Sequence, residues 1–217
     1  MAITSGIAGQ VGPLERPDPE NIPDFALNYS TRHAFLATAL IRGRRILEIG
    51  PGLTGIREYL GKLRGDYYYL GVDKAIEEEQ GPNWQLVKRE FFEGYDWLRT
   101  LPRFSTVVAL EVIEHIDPAR QFEFLQKLSE LALERIILST PSPDTKRWYP
   151  RTDILVGNDN PFHLRELDEW KLRLYASKAC KVRQVTILSG SLTSDDEVIW
   201  LGDLNPPAVY LGVIDLA

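Results

Sequence analysis

With 217 residues, 44% of them hydrophobic and 26% charged, the chain has enough apolar material for one sizeable core. That excludes wholesale disorder and leaves no room for two full domains. A formal net charge of −6 argues against holding nucleic acid through a broad positive field.

Residues 1–28, broken repeatedly by proline and glycine, read as an extended arm ahead of a single domain over 29–217. The first residues lack the basic start of a secretion signal. No window approaches the roughly 20 apolar residues that cross a bilayer, so a cytoplasmic protein without a membrane span is expected. A helix is expected over 30–41, capped by Ser30 or Thr31, with Leu36, Ala39 and Leu40 inward and Gly43 as its stop. Residues 45–49 form a short β-rich run, followed by a glycine turn and a helix capped by Thr54 with Ile56, Tyr59, Leu60 and Leu63 on one face. Strands follow at 67–72, 85–88, 106–110 and 135–139. Between the last two, a helix from Pro118 to about Leu133 has Asp117 as its cap and Phe122, Leu125, Leu128 and Ala132 toward the sheet. A further helix over 165–176 turns Leu167, Trp170 and Leu174 inward, and β-like runs occupy 182–188 and 208–214.

This alternation describes a doubly wound α/β protein: a mostly parallel, seven-stranded, Rossmann-like sheet with helices on both faces, its last strands added antiparallel. Ligands in such sheets bind beyond the carboxyl ends of the strands, where the first strand meets its helix. Here that turn is Gly50-Pro51-Gly52-Leu53-Thr54-Gly55, and Asp73 stands at the end of the second strand, the place of a ribose-binding acid. Two cofactors compete for such a turn. Glu48, two positions before the first glycine, points near the ligand. A carboxylate about 4 to 5 Å from the pyrophosphate of a nicotinamide dinucleotide costs roughly 3 to 4 kcal/mol at an effective dielectric of 20. The ammonium and sulfonium of S-adenosylmethionine are attracted by a similar amount. The balance favours the methyl donor over an NAD-dependent oxidoreductase, with a non-catalytic binding module on the same fold as a third reading.

The successive segments LEIGPGLTG, YLGVD, VVALEVIEHIDP and IILSTPSP resemble those of class I S-adenosylmethionine-dependent methyltransferases over about Arg44 to Pro143. Within that family, small O-methyltransferases such as those of ubiquinone biosynthesis and small-RNA 2′-O-methyltransferases share the stretch EVIEH. The resemblance implies S-adenosylmethionine as cofactor, with Glu48, Gly50 and Gly52 at its methionine end and Asp73 on the ribose hydroxyls. It further implies Glu90 near the adenine, and Leu110 and Glu111 beside the cofactor. The family's glycine pair before the fifth strand is replaced by Leu133-Glu134-Arg135.

Glu111, Glu114 and His115 directly follow the 106–110 strand. If they form one helical turn, spacings of three and four bring them to one face. Two carboxylates about 4 Å apart repel by roughly 4 kcal/mol at a dielectric of 20, which calls for a proton, an arginine or a metal. His163, before a helix at the same edge, completes a candidate set of two carboxylates and two imidazoles suited to manganese, iron or zinc. Related RNA 2′-O-methyltransferases look like this set. Without a metal, His115 or His163 is the candidate general base for a hydroxyl. The segment 142–160, carrying Lys146, Arg147, Trp148, Tyr149 and Arg151, reads as a lid over an anionic or sugar-bearing acceptor. Cys180, the only cysteine, can build neither an internal disulfide nor a cysteine zinc site and reads as a buried structural thiol. The expected activity is O-methylation of a small-molecule or glycan-like acceptor, with RNA 2′-O-methylation as the alternative.

Overall fold

The computed structural model describes residues 29–52, 55–63, 65–143, 163–192, 198–200 and 209–217. The expected arm at 1–28, the Thr54 cap and most of the lid segment lie outside them. Helix α1 (Tyr29–Leu40) leads into β1 (Arg45–Ile49), α2 (Arg57–Leu63) and β2 (Tyr68–Asp73). Then come β3 (Glu79–Gln80), β4 (Trp84–Lys88), α3 (Phe91–Thr100), β5 (Phe104–Leu110), a single 3₁₀ turn (Ile113–His115) and α4 (Gln121–Leu131). The chain closes with β6 (Ala132–Pro141), α5 (Glu169–Ala179), β7 (Val182–Leu192), β8 (Val198–Trp200) and β9 (Val209–Leu216).

The strands form one sheet in the order β3-β4-β2-β1-β5-β6-β9-β7-β8. Pairing is parallel from β4 through β6, and β9 runs antiparallel between β6 and β7, as expected of the last strands. The described residues hold nine strands where seven are expected. The two additions, β3 and β8, span two and three residues on opposite edges, too short for any side-chain alternation to announce them. The apolar runs of β1 and β5 are buried on both faces. Leu47 and Val107 face a core shared with α3, α4 and α5, while Ile46 and Val108 face a second core under α1 and α2.

Several helices sit in a different phase from the expected one. The inward face of α1 is Ala34, Ala37 and Thr38, continued by Ile41 just past its end, with Ala39 exposed. Asp117 does not cap α4. Its Oδ1 accepts from the Ala119 amide at 2.8 Å, closing an Asx turn of its own, and α4 begins four residues later. The buried stripe is therefore Phe124, Leu125, Leu128 and Leu131, and Phe122 is left 39% exposed. In α5 the cap is Asp168, whose Oδ1 accepts from the Lys171 amide at 2.7 Å. Leu167 and Leu172, the positions of a hydrophobic staple about that cap, are both fully buried, whereas Trp170 is 67% exposed. Helix α3 has no expected counterpart. Gly94 interrupts its pattern, and its start is fixed by Glu90, which accepts from the Glu93 amide at 2.9 Å.

At the amino-terminal edge of the sheet, Arg135 Nε donates to Asp215 Oδ1 at 2.8 Å and Nη1 to the Leu40 carbonyl at 2.6 Å. This ties the end of α1 to β6 and β9. No helix among the described residues is long and apolar enough to cross a membrane. Cys180 is buried against α4, and burial raises its thiol to a pKa of about 11.

Candidate active site

A cleft of about 480 Å³ opens at the carboxyl ends of β1, β2 and β5, where the strand order reverses. Its walls include Gly50, Asp73, Lys74, Arg89, Glu90, Phe91, Glu111, Val112 and His115. Five of the expected site residues thus meet on one cavity.

The loop after β1 is built for close approach. Gly50 has φ +70°, and a Cβ there would lie 2.5 Å from Val112 Cγ2 on the facing wall. Gly52 has φ +53°, and a Cβ at this position would meet nothing within 4 Å among the described residues. Asp73 pins that backbone: Oδ2 accepts from the Gly52 amide at 3.0 Å and Oδ1 from the Ala75 amide at 2.8 Å. Gly50→Ala is expected to combine left-handed strain with the Val112 clash, lowering stability by about 1–3 kcal/mol in urea denaturation.

Glu48 does not line the cleft. It is 2% exposed and lies beneath the loop, accepting from the Ile56 amide at 3.0 Å and the Tyr69 hydroxyl at 2.6 Å. Burial raises its pKa from 4.5 to about 7, partly opposed by the Tyr69 hydroxyl and the Ile56 amide. The expected full negative charge beside the ligand is therefore a partly protonated group acting from under the loop. The protonated form is favoured by folding, so the contribution of Glu48 to stability is complete below pH 4.5 and is lost as pH rises to about 7. That loss is on the order of 3 kcal/mol. Glu48→Gln is expected to flatten this part of the pH–stability profile, and an unchanged profile in urea denaturation at pH 5 and pH 8 would contradict it.

Glu90 lines the cleft but spends its carboxylate on the Glu93 amide at the start of α3. Leu110 is not on the cleft wall; its side chain packs with the α1–α2 core on the other sheet face, as alternation along β5 requires.

The acidic cluster does not form one helical face. Glu111 has a left-handed backbone at φ 54°, an uncommon state for a non-glycine residue, and only Ile113–His115 form a 3₁₀ turn. Ser139, buried near the end of β6, holds Glu111 in place. Its hydroxyl donates to Glu111 Oε1 at 2.6 Å and accepts from the Glu111 amide at 3.1 Å. The turn sends Glu114 inward to zero exposure and His115 outward to the cleft. Neither carboxylate oxygen of Glu114 has a hydrogen-bond partner among the described residues. Burial, then the nearby charge of Glu111, raise its pKa well above the usual value.

His163 is brought to this turn by its own backbone. The Leu164 and Arg165 amides donate to the Glu114 carbonyl at 2.8 and 3.2 Å, and Gln121 Nε2 donates to the Ile113 and Arg165 carbonyls. The His115 and His163 rings meet edge to face at 4.8 Å, and one ligand atom from each of Glu114, His115 and His163 falls within 4.8 Å of the others. An orphaned buried carboxylate beside two imidazoles fits a divalent cation. Tyr69, which opens YLGVD, and Ser139, within IILSTPSP, hold Glu48 and Glu111, while Gln121 lies in none of the segments quoted above.

No protein-family model matches the chain, and no curated protein matches it. Solved structures do. A SAM-dependent methyltransferase from Archaeoglobus fulgidus matches at 19% identity and a TM-score of 0.59, over 84% of this chain and 94% of that one. The small RNA methyltransferase HEN1 matches at 18% identity and a TM-score of 0.65, over 86% of this chain and 25% of that one. Magnesium protoporphyrin IX methyltransferase from Synechocystis PCC 6803, with SAH bound, matches at 14% identity and a TM-score of 0.53, over 88% of this chain and 89% of that one. The chain has the fold of the class I methyltransferases.

Proposed function

We propose that the chain is an S-adenosylmethionine-dependent O-methyltransferase, built as one domain over 29–217, acting on a hydroxyl of a small-molecule or glycan-like acceptor. The observation that carries this reading is the placement of Gly50 and Asp73 on the cleft at the reversal of strand order, with Asp73 also holding the Gly52 amide of the glycine loop. Bound there, the cofactor supplies a methyl group already activated by a positive sulfur, so the protein's main task is alignment. Asp73 retains lone pairs for ribose hydroxyls while holding the loop. Phe91 and Val112 supply apolar wall, and Glu111 and His115 mark the acceptor side.

Glu111, Glu114, His115 and His163 form the candidate set for a divalent ion, which would favour the ionised form of an acceptor hydroxyl. Glu114, His115 and His163 are the members that come together, and His115 also lines the cleft, so an ion held by these three would lie beside the cleft wall, while Glu111 lines the cleft with its carboxylate held by Ser139. If no ion is held, His115 is the cleft-facing imidazole able to take the hydroxyl proton. An RNA 2′-hydroxyl is the second reading, favoured by this cluster and by the fold shared with a small RNA methyltransferase, and opposed by the net charge of −6.

Calorimetry with S-adenosylhomocysteine and NAD tests the cofactor: binding of NAD alone would end the proposal. Methyl transfer from labelled cofactor to small hydroxylated acceptors and to short RNAs, with and without chelator, decides between the acceptor classes. Cofactor binding with no transfer to any acceptor would favour a binding module.

A further inference from the structure

His163 and Glu166 form a contact shielded from water. His163 Nδ1 lies 3.0 Å from Glu166 Oε1, and each side chain is only 8% exposed. The strap that carries them is docked on the Glu114 carbonyl and on Gln121, so the pair is held by its backbone and is not a chance meeting of two mobile side chains. A neutral imidazole has one proton for two nitrogens, and the partner of one nitrogen decides which form is present. In water the favoured form carries the proton on Nε2. An ionised carboxylate only accepts, so at Nδ1 it demands the opposite form and leaves the lone pair on Nε2.

We propose that Glu166 is a positioning residue for His163, fixing the Nδ1-protonated imidazole so that Nε2 is the nitrogen available to a bound divalent ion. The ion itself rests on the metal reading given above; the ring tautomer does not. The same contact fixes the ring plane, which meets His115 edge to face at 4.8 Å. It thus sets how the two imidazoles share one ligand.

Two measurements on the full chain test this separately. Nitrogen-15 spectra of histidine-labelled, metal-free protein near pH 8 report which His163 nitrogen is protonated, and titration with Mn²⁺ alone reports affinity. The wild type is expected to carry the proton on Nδ1. Glu166→Ala should shift it toward Nε2 and weaken Mn²⁺ binding by about 10- to 100-fold. Glu166→Gln, whose amide oxygen can accept from Nδ1, should keep the tautomer and recover part of the affinity. A wild-type ring protonated on Nε2 overturns the proposal whether or not the variants fold, as does an alanine variant with unchanged tautomer and affinity. If the wild type shows the Nδ1 form and Glu166→Ala loses it, yet no Mn²⁺ binds, the positioning role stands and the metal reading falls.

Discussion

Glu114→Met is expected to melt at a higher temperature than the wild type in the presence of a chelator, and to lose methyl transfer by about 100-fold or more. Both effects have one cause. The Glu114 carboxyl is fully buried and neither oxygen has a hydrogen-bond partner among the described residues, the His115 Nε2 standing 4.0 Å from Oε1, so in the metal-free protein it is a polar group removed from water with poor compensation. Methionine fills similar space without polar atoms. Replacements of this kind stabilise by about 1–4 kcal/mol where the charged group was poorly matched. The gain depends on pH in a fixed direction. Burial holds the native pKa of Glu114 above the ordinary 4.5, so its contribution is complete below that pH and is lost as pH rises toward the native value. The advantage of Glu114→Met should therefore widen from pH 5 to pH 8. Saturating Mn²⁺ narrows the comparison in favour of the wild type, since an ion at 100 times its dissociation constant adds about 2.7 kcal/mol to the wild type alone. Differential scanning calorimetry of both proteins, with chelator and with Mn²⁺, measures all of this. A variant less stable than the wild type in chelator would mean that the carboxyl is already satisfied.

The sequence marks this cluster because Glu111, Glu114 and His115 follow a buried strand without a gap, and a strand end at the ligand-binding edge has few places to send polar side chains. Their arrangement is less visible. A left-handed Glu111 and a 3₁₀ turn replace the helical turn that the spacing suggests, because Ser139 on the neighbouring strand captures both the amide and the carboxylate of Glu111. Pairing across strands that are 28 residues apart leaves no local trace. The strand β1 is expected at 45–49 and found at Arg45–Ile49, since a charged flank, an apolar run and a glycine turn bound it on both sides. Helix phase is harder to read. Asp117 and Asp168 are both good capping residues, but one closes a separate turn and the other begins a helix, and a shift of three or four residues at the start moves Phe122 and Trp170 from the core to the surface. Glu48 illustrates a different limit. Its proximity to the glycine loop follows from spacing, whereas its enclosure depends on Tyr69, one strand away.

Asp73→Ala should weaken S-adenosylhomocysteine binding by about 100- to 10,000-fold. Two hydrogen bonds from ribose hydroxyls to a carboxylate contribute about 1.5–3 kcal/mol each. The same substitution frees the Gly52 and Ala75 amides, both held by this side chain, so the loop loses its tie to the end of β2. The two contributions can be separated. Asp73→Asn keeps one oxygen able to accept from the Gly52 amide but loses the charge, and is expected to retain the loop while weakening the ligand by about 10-fold. Hydrogen exchange at the Gly52 amide reads the loop without ligand: it should accelerate in Asp73→Ala and stay near the wild-type rate in Asp73→Asn. Calorimetry reads the ligand. Unchanged affinity in Asp73→Ala, with the Gly52 amide released, would show that Asp73 serves the loop alone and would remove the ribose from this end of the cleft. A tighter complex with NAD than with S-adenosylhomocysteine in the wild type would keep the ribose contact but assign it to the other cofactor.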